Sequence, residues 1–345
     1  MKNIKLNMLN KAYIDLGVLK ENALAVKGKL KKGQKFCAVV KADAYGHGAC
    51  ECANALYPVC DCFAVAIAEE GVNLRLSGID KDILVLVEPF LCDLPLAVHY
   101  GLTLTVCRPE VVKMINAESK RQSKKTKVHI KVDTGMNRQG VKTDAQLCDL
   151  LRRVKACDGV VLDGVYSHFA NPGDELARNT ALNKFLLAKE RVKGYNKKVT
   201  AHISASGGFL AGCKQDMVRI GLLLYGYKPY ASDVIGVNPV MRVVAPVVDN
   251  RIVYKGERAL YGDCRAIKDE TLTLVRYGYA DGLFRKKIDG QFNNRCMDLT
   301  AVTLPNTGNE ITVMDNADRL AREYGTISYE ILCRAASRAE KIYIR

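Results

Sequence analysis

The chain has 345 residues, a formal net charge of +15, 48% apolar residues and 26% charged residues. These values exclude a largely disordered or collagen-like chain, and the length suggests two domains or one barrel with an added module. The most apolar long stretch, 83–106, is interrupted by Glu88, Asp93 and His99 and falls short of the roughly 18 apolar residues of a membrane-spanning helix. The first residues lack the apolar run of a signal peptide, so we expect a cytoplasmic protein, or a cytoplasmic piece of a larger one, with no membrane segment in this chain.

The thirteen cysteines are scattered through apolar runs, as Cys37, Cys107 and Cys296 illustrate. This distribution predicts buried free thiols that act as small hydrophobic side chains. The two C-x-C pairs, at 50–52 and 60–62, do not have the spacing of structural zinc ligands. No metal site is therefore expected.

The positive charge raises the question of a nucleic-acid partner. The densest basic run, KRQSKKTKVHIK at 120–131, contains no aromatic residue, and the chain has no tryptophan to stack on bases. We interpret the run as a solvated helix end that leads into a strand, and we expect no nucleic acid. The charge can still attract anionic metabolites.

Short apolar runs alternate with amphipathic stretches up to about residue 225. Eight of these runs have the length and the Val, Ile, Leu or Phe content of buried strands: 36–41, 62–67, 83–87, 102–106, 128–132, 161–167, 200–204 and 217–220. A doubly wound sheet shares this alternation, but eight units in about 200 residues favour a closed (β/α)8 barrel. We predict an α/β chain in which residues 1–230 form this barrel, with the first 12 or so residues packed on the other domain.

The pattern changes after Tyr227. Further β-like runs, separated by Gly, Asp and Pro, lie at 238–253, 257–264, 272–276 and 310–314. We predict that residues 231–345 form a mostly β domain.

Polar residues follow the predicted barrel strands, where active sites of such barrels lie. Lys41 follows the first strand and is suited to a Schiff base, although, taken alone, a lysine extending from a strand end into solvent is the simpler explanation. Ser206-Gly207-Gly208 follows the seventh strand and Gly221-Leu222 the eighth, and these segments suit either a phosphate or tight turns. A Schiff-base lysine that faces a phosphate site is what pyridoxal 5′-phosphate (PLP) requires.

The segment VVKADAYGHG resembles the PLP-lysine signature of the alanine racemase family. The similarity covers essentially the whole chain and continues through KVDTGMNRQGV, YSHFA, HISASGG, VRIGLLLYG, LYG at 260–262, RYGYADGLFR and RCMD at 295–298. The resemblance implies an N-terminal PLP barrel, a C-terminal β domain and a homodimer with shared active sites.

The resemblance also implies residue roles. Lys41 is expected to carry PLP as a Schiff base and to act as one of two catalytic bases, and Tyr261 of the partner subunit is expected to be the other. The phosphate is expected to contact Tyr45, Ser206, Gly221 and Leu222, and the pyridine nitrogen Arg219, with His168 nearby. Arg138 is expected to contact both the substrate carboxylate and the cofactor's phenolic oxygen, and Met297 is expected to line the carboxylate site. Lys131 is expected to be carbamylated, and Tyr279 to lie at the entrance of the active site. Simple packing or ion-pairing roles remain the alternatives for Tyr261, His168 and Arg219.

Two positions depart from the family pattern. Ala205 stands where the family commonly has asparagine, and Ser337 stands where a tyrosine usually reaches the phosphate and narrows the substrate pocket. Tyr329 matches a different tyrosine of the family. A similar reduction at the Ser337 position marks the racemase domains of membrane-bound serine racemases from vancomycin resistance, so we expect a wider pocket here.

We therefore predict a PLP-dependent isomerase that interconverts L- and D-alanine and supplies D-amino acid for cell-wall peptidoglycan. The alternatives are a serine or broad-specificity racemase, a basic amino-acid decarboxylase and a non-catalytic PLP-binding carrier barrel. A decarboxylase of this kind needs an acidic partner for the pyridine nitrogen, which Arg219 is not. A carrier barrel lacks a C-terminal β domain.

Overall fold

The computed structural model describes residues 10–261, 265–285, 295–303 and 308–345. These residues separate into two compact units. The barrel unit contains Leu19–Ala44 and Ala49–Asn238. The C-terminal unit contains Pro239–Arg345, the short segment Tyr45–Gly48 and the described residues up to Val18. In the described parts of the chain, no helix is both long and apolar enough to cross a bilayer.

Strand β1 (Lys11–Asp15) opens the described chain and belongs to the C-terminal unit. The barrel unit is built on eight strands: β2 (Lys35–Val39), β3 (Cys62–Val65), β4 (Ile83–Val85), β5 (Thr103–Val106), β6 (Thr126–Lys131), β7 (Val160–Tyr166), β8 (Thr200–His202) and β9 (Met217–Ile220). They pair in parallel in the order β8-β7-β6-β5-β4-β3-β2-β9.

Backbone hydrogen bonds close the sheet between its two outer strands. The Arg219 N–H donates to the Ser204 carbonyl over 2.9 Å, and the Asp216 N–H donates to the Ala201 carbonyl over 3.0 Å. Every residue of β4, β5 and β9 is buried, as expected of parallel strands covered by helices. The predicted barrel and all eight of its predicted strands are confirmed.

The helices of this part of the chain are Leu16–Lys27, Ala49–Leu56, Ala68–Leu76, Leu94–His99, Pro109–Arg121, Asp144–Lys155, Glu175–Tyr195 and Ser206–Leu210. Helix Asp144–Lys155 shows why such segments become helical. The Thr143 hydroxyl accepts the Gln146 N–H over 3.2 Å and caps its N-terminus. Leucines at positions 147, 150 and 151 and a valine at 154 then form one buried face. The basic run at 120–131 spans a helix end and strand β6, as predicted.

The C-terminal unit contains a mostly antiparallel sheet. Its further strands are β10 (Met241–Val253), β11 (Glu270–Val275), β12 (Thr300–Val302), β13 (Glu310–Met314) and β14 (Glu340–Ile344). The sheet order is β12-β11-β10-β1-β14, with β13 also paired to β10. Strand β1 is antiparallel to β10 and parallel to β14. Helices Ala317–Tyr324 and Ser328–Ala335 precede the last strand.

The predicted β-run at 257–264 is wrong in its described part. The Glu257 N–H donates to the Tyr254 carbonyl over 2.9 Å, and the Glu257 carboxylate accepts the Tyr254 N–H, which makes a turn. Gly256, just before the run, has a φ of +89°, and Leu260, within it, has a φ of +57°, and both values lie outside the β region. Only an isolated bridge joins Arg258 to Arg265. Residues 262–264 lie outside the described residues.

The prediction of buried thiols holds for some cysteines only. Cys37 is fully buried, whereas Cys107 and Cys296 are half-buried and Cys333 is exposed. All described cysteines are free thiols. Cys264 lies outside the described residues.

Candidate active site

Lys41 lies just beyond the carboxyl end of β2, at the entrance to an unusual turn. The next four residues, Ala42 to Tyr45, all have φ between 51° and 54°, and Gly46 follows with a φ of 83°. Non-glycine residues in this left-handed conformation cost about 1–2 kcal/mol each. Strain of this kind persists where surrounding contacts enforce it, and it concentrates at functional sites.

Two carboxylates of the barrel unit hold the turn. Glu70 accepts the Ala42 N–H over 2.6 Å with one oxygen and the Ala66 N–H over 2.7 Å with the other. Asp43 accepts the Ala49 N–H over 2.8 Å. These bonds fix the backbone immediately after Lys41 and so restrict the directions in which its side chain can extend.

Arg219 lies within β9 and is 3% exposed. Its guanidinium donates to the Ser167 carbonyl over 2.7 Å and lies 2.5 Å from Nδ1 of His202. The guanidinium carbon is 5.0 Å from the centre of the Tyr166 ring. Burial lowers the pKa of Arg219, but a guanidinium keeps its proton at neutral pH. The barrel interior therefore holds a rigid cation.

Lys131 is the last residue of β6 and is 6% exposed. Its ammonium lies 5.1 Å from the centre of the Tyr166 ring. Burial, and then the positive charges of neighbouring residues, lowers the pKa of Lys131 to about 8. These neighbours are Arg219, Arg138 and Lys41.

His168 follows β7 and is half-buried. Its Nδ1 lies 3.3 Å from Nη2 of Arg219. Burial, with the surrounding positive charge, lowers the pKa of His168 to about 3, so the imidazole is neutral at pH 7. The cations that act on it are Arg219, Arg138, Lys131 and Lys41. The structure thus brings five predicted site residues together.

Arg138 is exposed on a tight loop after β6. One Asp133 oxygen accepts the N–H groups of Gly135 and Asn137, over 2.9 Å and 3.1 Å. At Gly140, which has a φ of +132°, a Cβ would lie 2.6 Å from the Asp133 nitrogen. The folded loop keeps the guanidinium near Lys131 and His168.

The predicted phosphate-binding segments are adjacent in the barrel unit. Ser206 begins a short helix and is 2% exposed, and its hydroxyl accepts the Leu223 N–H over 3.4 Å. Ala205, at the N-cap, supplies no side-chain cap to this helix. The first N–H groups of a helix have no partner within it. Gly221 and Leu222 begin the neighbouring 3₁₀ turn and are buried.

Close packing explains the two glycines after Ser206. A Cβ on Gly207 would lie 2.4 Å from Cγ of Pro172, and a Cβ on Gly208 would lie 2.7 Å from the Ser204 hydroxyl. The segment therefore requires glycine for space, since neither residue has a positive φ. Packing against Pro172 and Ser204 therefore accounts for both glycines, and the phosphate role of this segment stays a prediction.

The other predicted site residues belong to the C-terminal unit. Tyr45 is 6% exposed, and its ring centre lies 5.8 Å from that of Tyr329. Tyr261 and Met297 are 68% and 54% exposed. Tyr279 is half-buried at the start of a 3₁₀ turn, and Ser337 is exposed just after helix Ser328–Ala335.

Sequence reasoning missed several groups that build the site. Glu70 holds the turn after Lys41, and His202 and Tyr166 surround Arg219. His202 and Tyr166 stand inside motifs that the sequence analysis quoted, so their position beside strand ends was the available signal. Glu70 lies in a helix and carries no comparable signal.

Comparisons with known families agree with this architecture. The profile described as alanine racemase, N-terminal domain, matches residues 14–229, and the profile of the C-terminal domain matches residues 240–343. A relative named alanine racemase from Streptococcus pyogenes serotype M1 is 32% identical over 360 aligned positions, which cover 96% of this chain and 97% of the relative. Another, from Aquifex aeolicus, is 31% identical over 95% of this chain and 99% of its own length.

Solved structures lead to the same family. An alanine racemase from Clostridium difficile 630 superposes with a TM-score of 0.92 and 29% identity, covering 99% of this chain and 97% of that protein. An alanine racemase from Bacillus anthracis with bound L-Ala-P has a TM-score of 0.90 and 27% identity, covering 99% and 96% of the two chains. The chain therefore belongs to the alanine racemase family, whose members are enzymes of the isomerase class.

Proposed function

We propose that this chain interconverts L- and D-alanine by a two-base reaction that depends on PLP. The observation that carries the proposal is the cluster at one end of the barrel, where two lysines, two arginines and a neutral histidine meet: Lys41, Lys131, Arg138, Arg219 and His168. Four cations at close quarters repel one another, so the site suits a ligand with several negative charges. PLP brings a phosphate, and the amino acid brings a carboxylate.

The residues present fit the cofactor. Lys41 supplies the amine that binds it covalently, and Arg219 supplies a fixed donor for the ring nitrogen. The Ser206 hydroxyl, the N–H groups of Gly221 and Leu222, and the Tyr45 hydroxyl are the proposed phosphate contacts. The alanine racemase family is PLP-dependent. When bound, PLP draws electrons away from the amino acid and acidifies its Cα–H bond.

The two fixed groups beside the ring have distinct tasks. With PLP bound, Arg219 would donate to the ring nitrogen and leave it unprotonated, because a guanidinium does not give up its proton. The ring would then withdraw electrons weakly, which would favour return of the proton to Cα over side reactions. His168 adds no positive charge, because its depressed pKa keeps it neutral at pH 7.

Racemisation needs a base on each face of Cα. The Lys41 amine serves one face, and we assign the other to the Tyr261 phenol of a second copy of the chain. Arg138 holds the substrate carboxylate, with Met297 of the second copy beside it and Tyr279 at the entrance. Two large side chains that are 68% and 54% exposed on the C-terminal unit are suited to entering a partner's site. The active species is thus a homodimer with two shared sites.

Lys131 carries a proposed chemical modification. A neutral lysine amine and carbon dioxide form a carbamate, with loss of one proton. The depressed pKa of Lys131, about 8, provides neutral amine near physiological pH. The product replaces a buried cation by an anion among Arg219, Arg138 and Lys41. That exchange converts repulsion into attraction and orients Arg138.

We expect a carbamate on Lys131 whose yield rises between pH 7 and pH 9 at constant dissolved carbon dioxide, because the neutral fraction of the amine grows over that range. Protein equilibrated with ¹³C-labelled bicarbonate should show a carbamate carbon resonance. The Lys131→Arg variant keeps a positive charge at this position and should lose that resonance. A resonance that persists in the variant would place the carbamate on another lysine.

The small side chain of Ser337 is the reason that we consider free serine as the alternative substrate. We expect Ser337→Tyr to shift the ratio of kcat/KM for alanine to that for serine toward alanine by about tenfold, because one atom in a pocket is worth about 1–3 kcal/mol. Tighter retention of PLP should accompany the shift. Ser337→Ala removes only the hydroxyl, and it therefore separates loss of that hydroxyl from the volume that a tyrosine fills. An unchanged substrate ratio and unchanged PLP retention in Ser337→Tyr would show that Ser337 does not line the pocket.

The function as a whole is tested by rates of racemisation on alanine, serine and lysine, measured side by side on the PLP-loaded chain. Alanine should be the best substrate, with serine turned over measurably. A bound-PLP absorbance without turnover of any of the three would favour a carrier. A cytoplasmic location and a role in supplying D-alanine for peptidoglycan remain predictions.

A further inference from the structure

A chain of hydrogen bonds runs from Arg219 away from the candidate site. Nη1 of Arg219 lies 2.5 Å from Nδ1 of His202, and Nε2 of His202 lies 2.9 Å from Nδ1 of His129. Nε2 of His129 lies 3.2 Å from Oδ2 of Asp163. His202 is fully buried and His129 is 4% exposed, whereas the Asp163 side chain is 37% exposed. The chain therefore links the barrel interior to a carboxylate at the surface of β7.

The two ends of the chain determine its direction. A guanidinium only donates and a carboxylate only accepts, and a neutral imidazole carries one N–H. Arg219 must therefore donate to Nδ1 of His202, His202 must donate from Nε2 to His129, and His129 must donate from Nε2 to Asp163. Burial and the charge of Arg219 lower the pKa of His202, which keeps it neutral. The hydrogen bond from His129 lowers the pKa of Asp163, which keeps it ionised.

Local packing makes room for these rings. A Cβ on Gly164 would lie 2.5 Å from Nδ1 and Cε1 of His129, so the strand beside this ring requires glycine. The pairing of β6 with β7 shifts register between Val128 and His129. The His202 ring stacks on Tyr166, with the ring centres 4.9 Å apart and the planes 3° from parallel. Neither imidazole can turn over without disturbing these contacts.

The charge of Arg219 explains why a chain of hydrogen bonds to a carboxylate is needed. In the described residues its hydrogen-bond partners are neutral: His202 and His168 nitrogens and the carbonyls of Ser167, His202 and Ile203. A buried cation without a counter-charge is costly. Asp163 supplies a negative charge at the end of the chain, two imidazoles away.

We propose that His129 and Asp163 are positioning residues for the reaction, because they hold His202 in the tautomer whose Nδ1 accepts from Arg219. If the chain of hydrogen bonds is interrupted, His202 can carry its proton on Nδ1. Two donors, this N–H and the Arg219 guanidinium, then face each other, and the guanidinium is displaced from its orientation. The proposal rests on the proposed function for the role of Arg219 toward the ring nitrogen. The tautomers themselves do not depend on it.

Two variants of Asp163 separate hydrogen bonding from charge. Asp163→Asn removes the charge but keeps an oxygen that accepts from His129, whereas Asp163→Leu removes both. The position is half-exposed, so either change is compatible with the fold. Asp158→Asn is the matched control, since Asp158 pairs with Lys120 over 2.8 Å on the surface of the same unit.

The first measurement uses ¹⁵N-histidine in the cofactor-free protein. The chain has five histidines, so the imidazole nitrogens can be assigned by substitution. We expect His129 and His202 to be protonated on Nε2 in the wild-type chain, in Asp163→Asn and in Asp158→Asn. In Asp163→Leu, the His202 nitrogens should report a mixture of tautomers.

The second measurement is alanine racemisation by the PLP-loaded variants. Asp163→Leu should lower kcat about tenfold with little change in KM, the effect of one hydrogen bond to a charged group. Asp163→Asn should stay close to wild type. Unchanged His202 tautomers in Asp163→Leu, changed tautomers with unchanged kcat, or an equal loss of kcat in the Asn and Leu variants would each overturn the proposal. A wild-type chain with the expected tautomers but no racemisation would instead refute the proposed function.

Discussion

Replacing Lys41 by alanine should reduce racemisation of alanine below detection and remove the absorbance of covalently bound PLP. The loss combines two effects, because the same amine attaches the cofactor and serves one face of Cα. A positioned base alone contributes about 10²–10⁴-fold. Lys131 is the other lysine of the cluster, but it lies on β6, at a different strand end. Racemisation rates and an absorbance spectrum of the dialysed variant measure both effects.

Lys155→Ala is the control for Lys41→Ala, since Lys155 is exposed at the end of helix Asp144–Lys155. That variant should keep full activity and the bound-cofactor spectrum. The assignment of Lys41 is wrong if Lys41→Ala retains both the covalent absorbance and normal turnover.

Two inactive variants should restore each other if the active sites are shared. Lys41→Ala lacks the base on the barrel, and Tyr261→Phe lacks the phenol that we assign to the other subunit. In a mixed dimer, one of the two sites then combines an intact Lys41 with an intact Tyr261. Random exchange of equal amounts should give about a quarter of the wild-type number of active sites. The measurement is racemisation before and after subunit exchange.

The opposite outcome is equally clear. If Lys41 and Tyr261 of one chain act together, every chain in the mixture lacks one base and activity does not return. Sedimentation of the wild-type chain measures its oligomeric state independently. A monomer that racemises alanine at full rate would contradict a shared site. Lys41→Ala protein taken through the same treatment alone gives the background activity.

The barrel could be predicted from sequence because its strands are buried on both faces. Runs such as Ile83–Val85 and Cys62–Val65 are continuous apolar segments, and their spacing leaves room for covering helices. The C-terminal unit gave weaker signals. Strands β1 (KAYID) and β14 (EKIYI) are only half-buried and contain charged residues, and their pairing depends on distant parts of the chain.

Some residues of the candidate site could likewise be predicted from the sequence, and others could not. Lys131 ends a strand, and Lys41, His168 and Ser206 follow strand ends, so the barrel pattern alone predicted that they would lie near one another. The chain from Arg219 to Asp163 could not be predicted, because it runs across neighbouring strands inside the barrel. His129 and Asp163 are 34 residues apart and face each other only through the register of β6 with β7.

The pairing of β1 has a consequence for synthesis of the chain. Lys11 pairs with Val244 on β10 and with Glu340 on β14, so β1 is made well before either of its partner strands. At ribosomal rates of about 5–20 residues per second, β1 leaves the ribosome roughly 10–50 s before β10. Its unpaired edge is then a candidate for chaperone binding, and the charged residues Lys11 and Asp15 at its ends disfavour pairing with other nascent chains. Vectorial synthesis thus makes the sheet of the C-terminal unit a late product, completed only when β14 emerges.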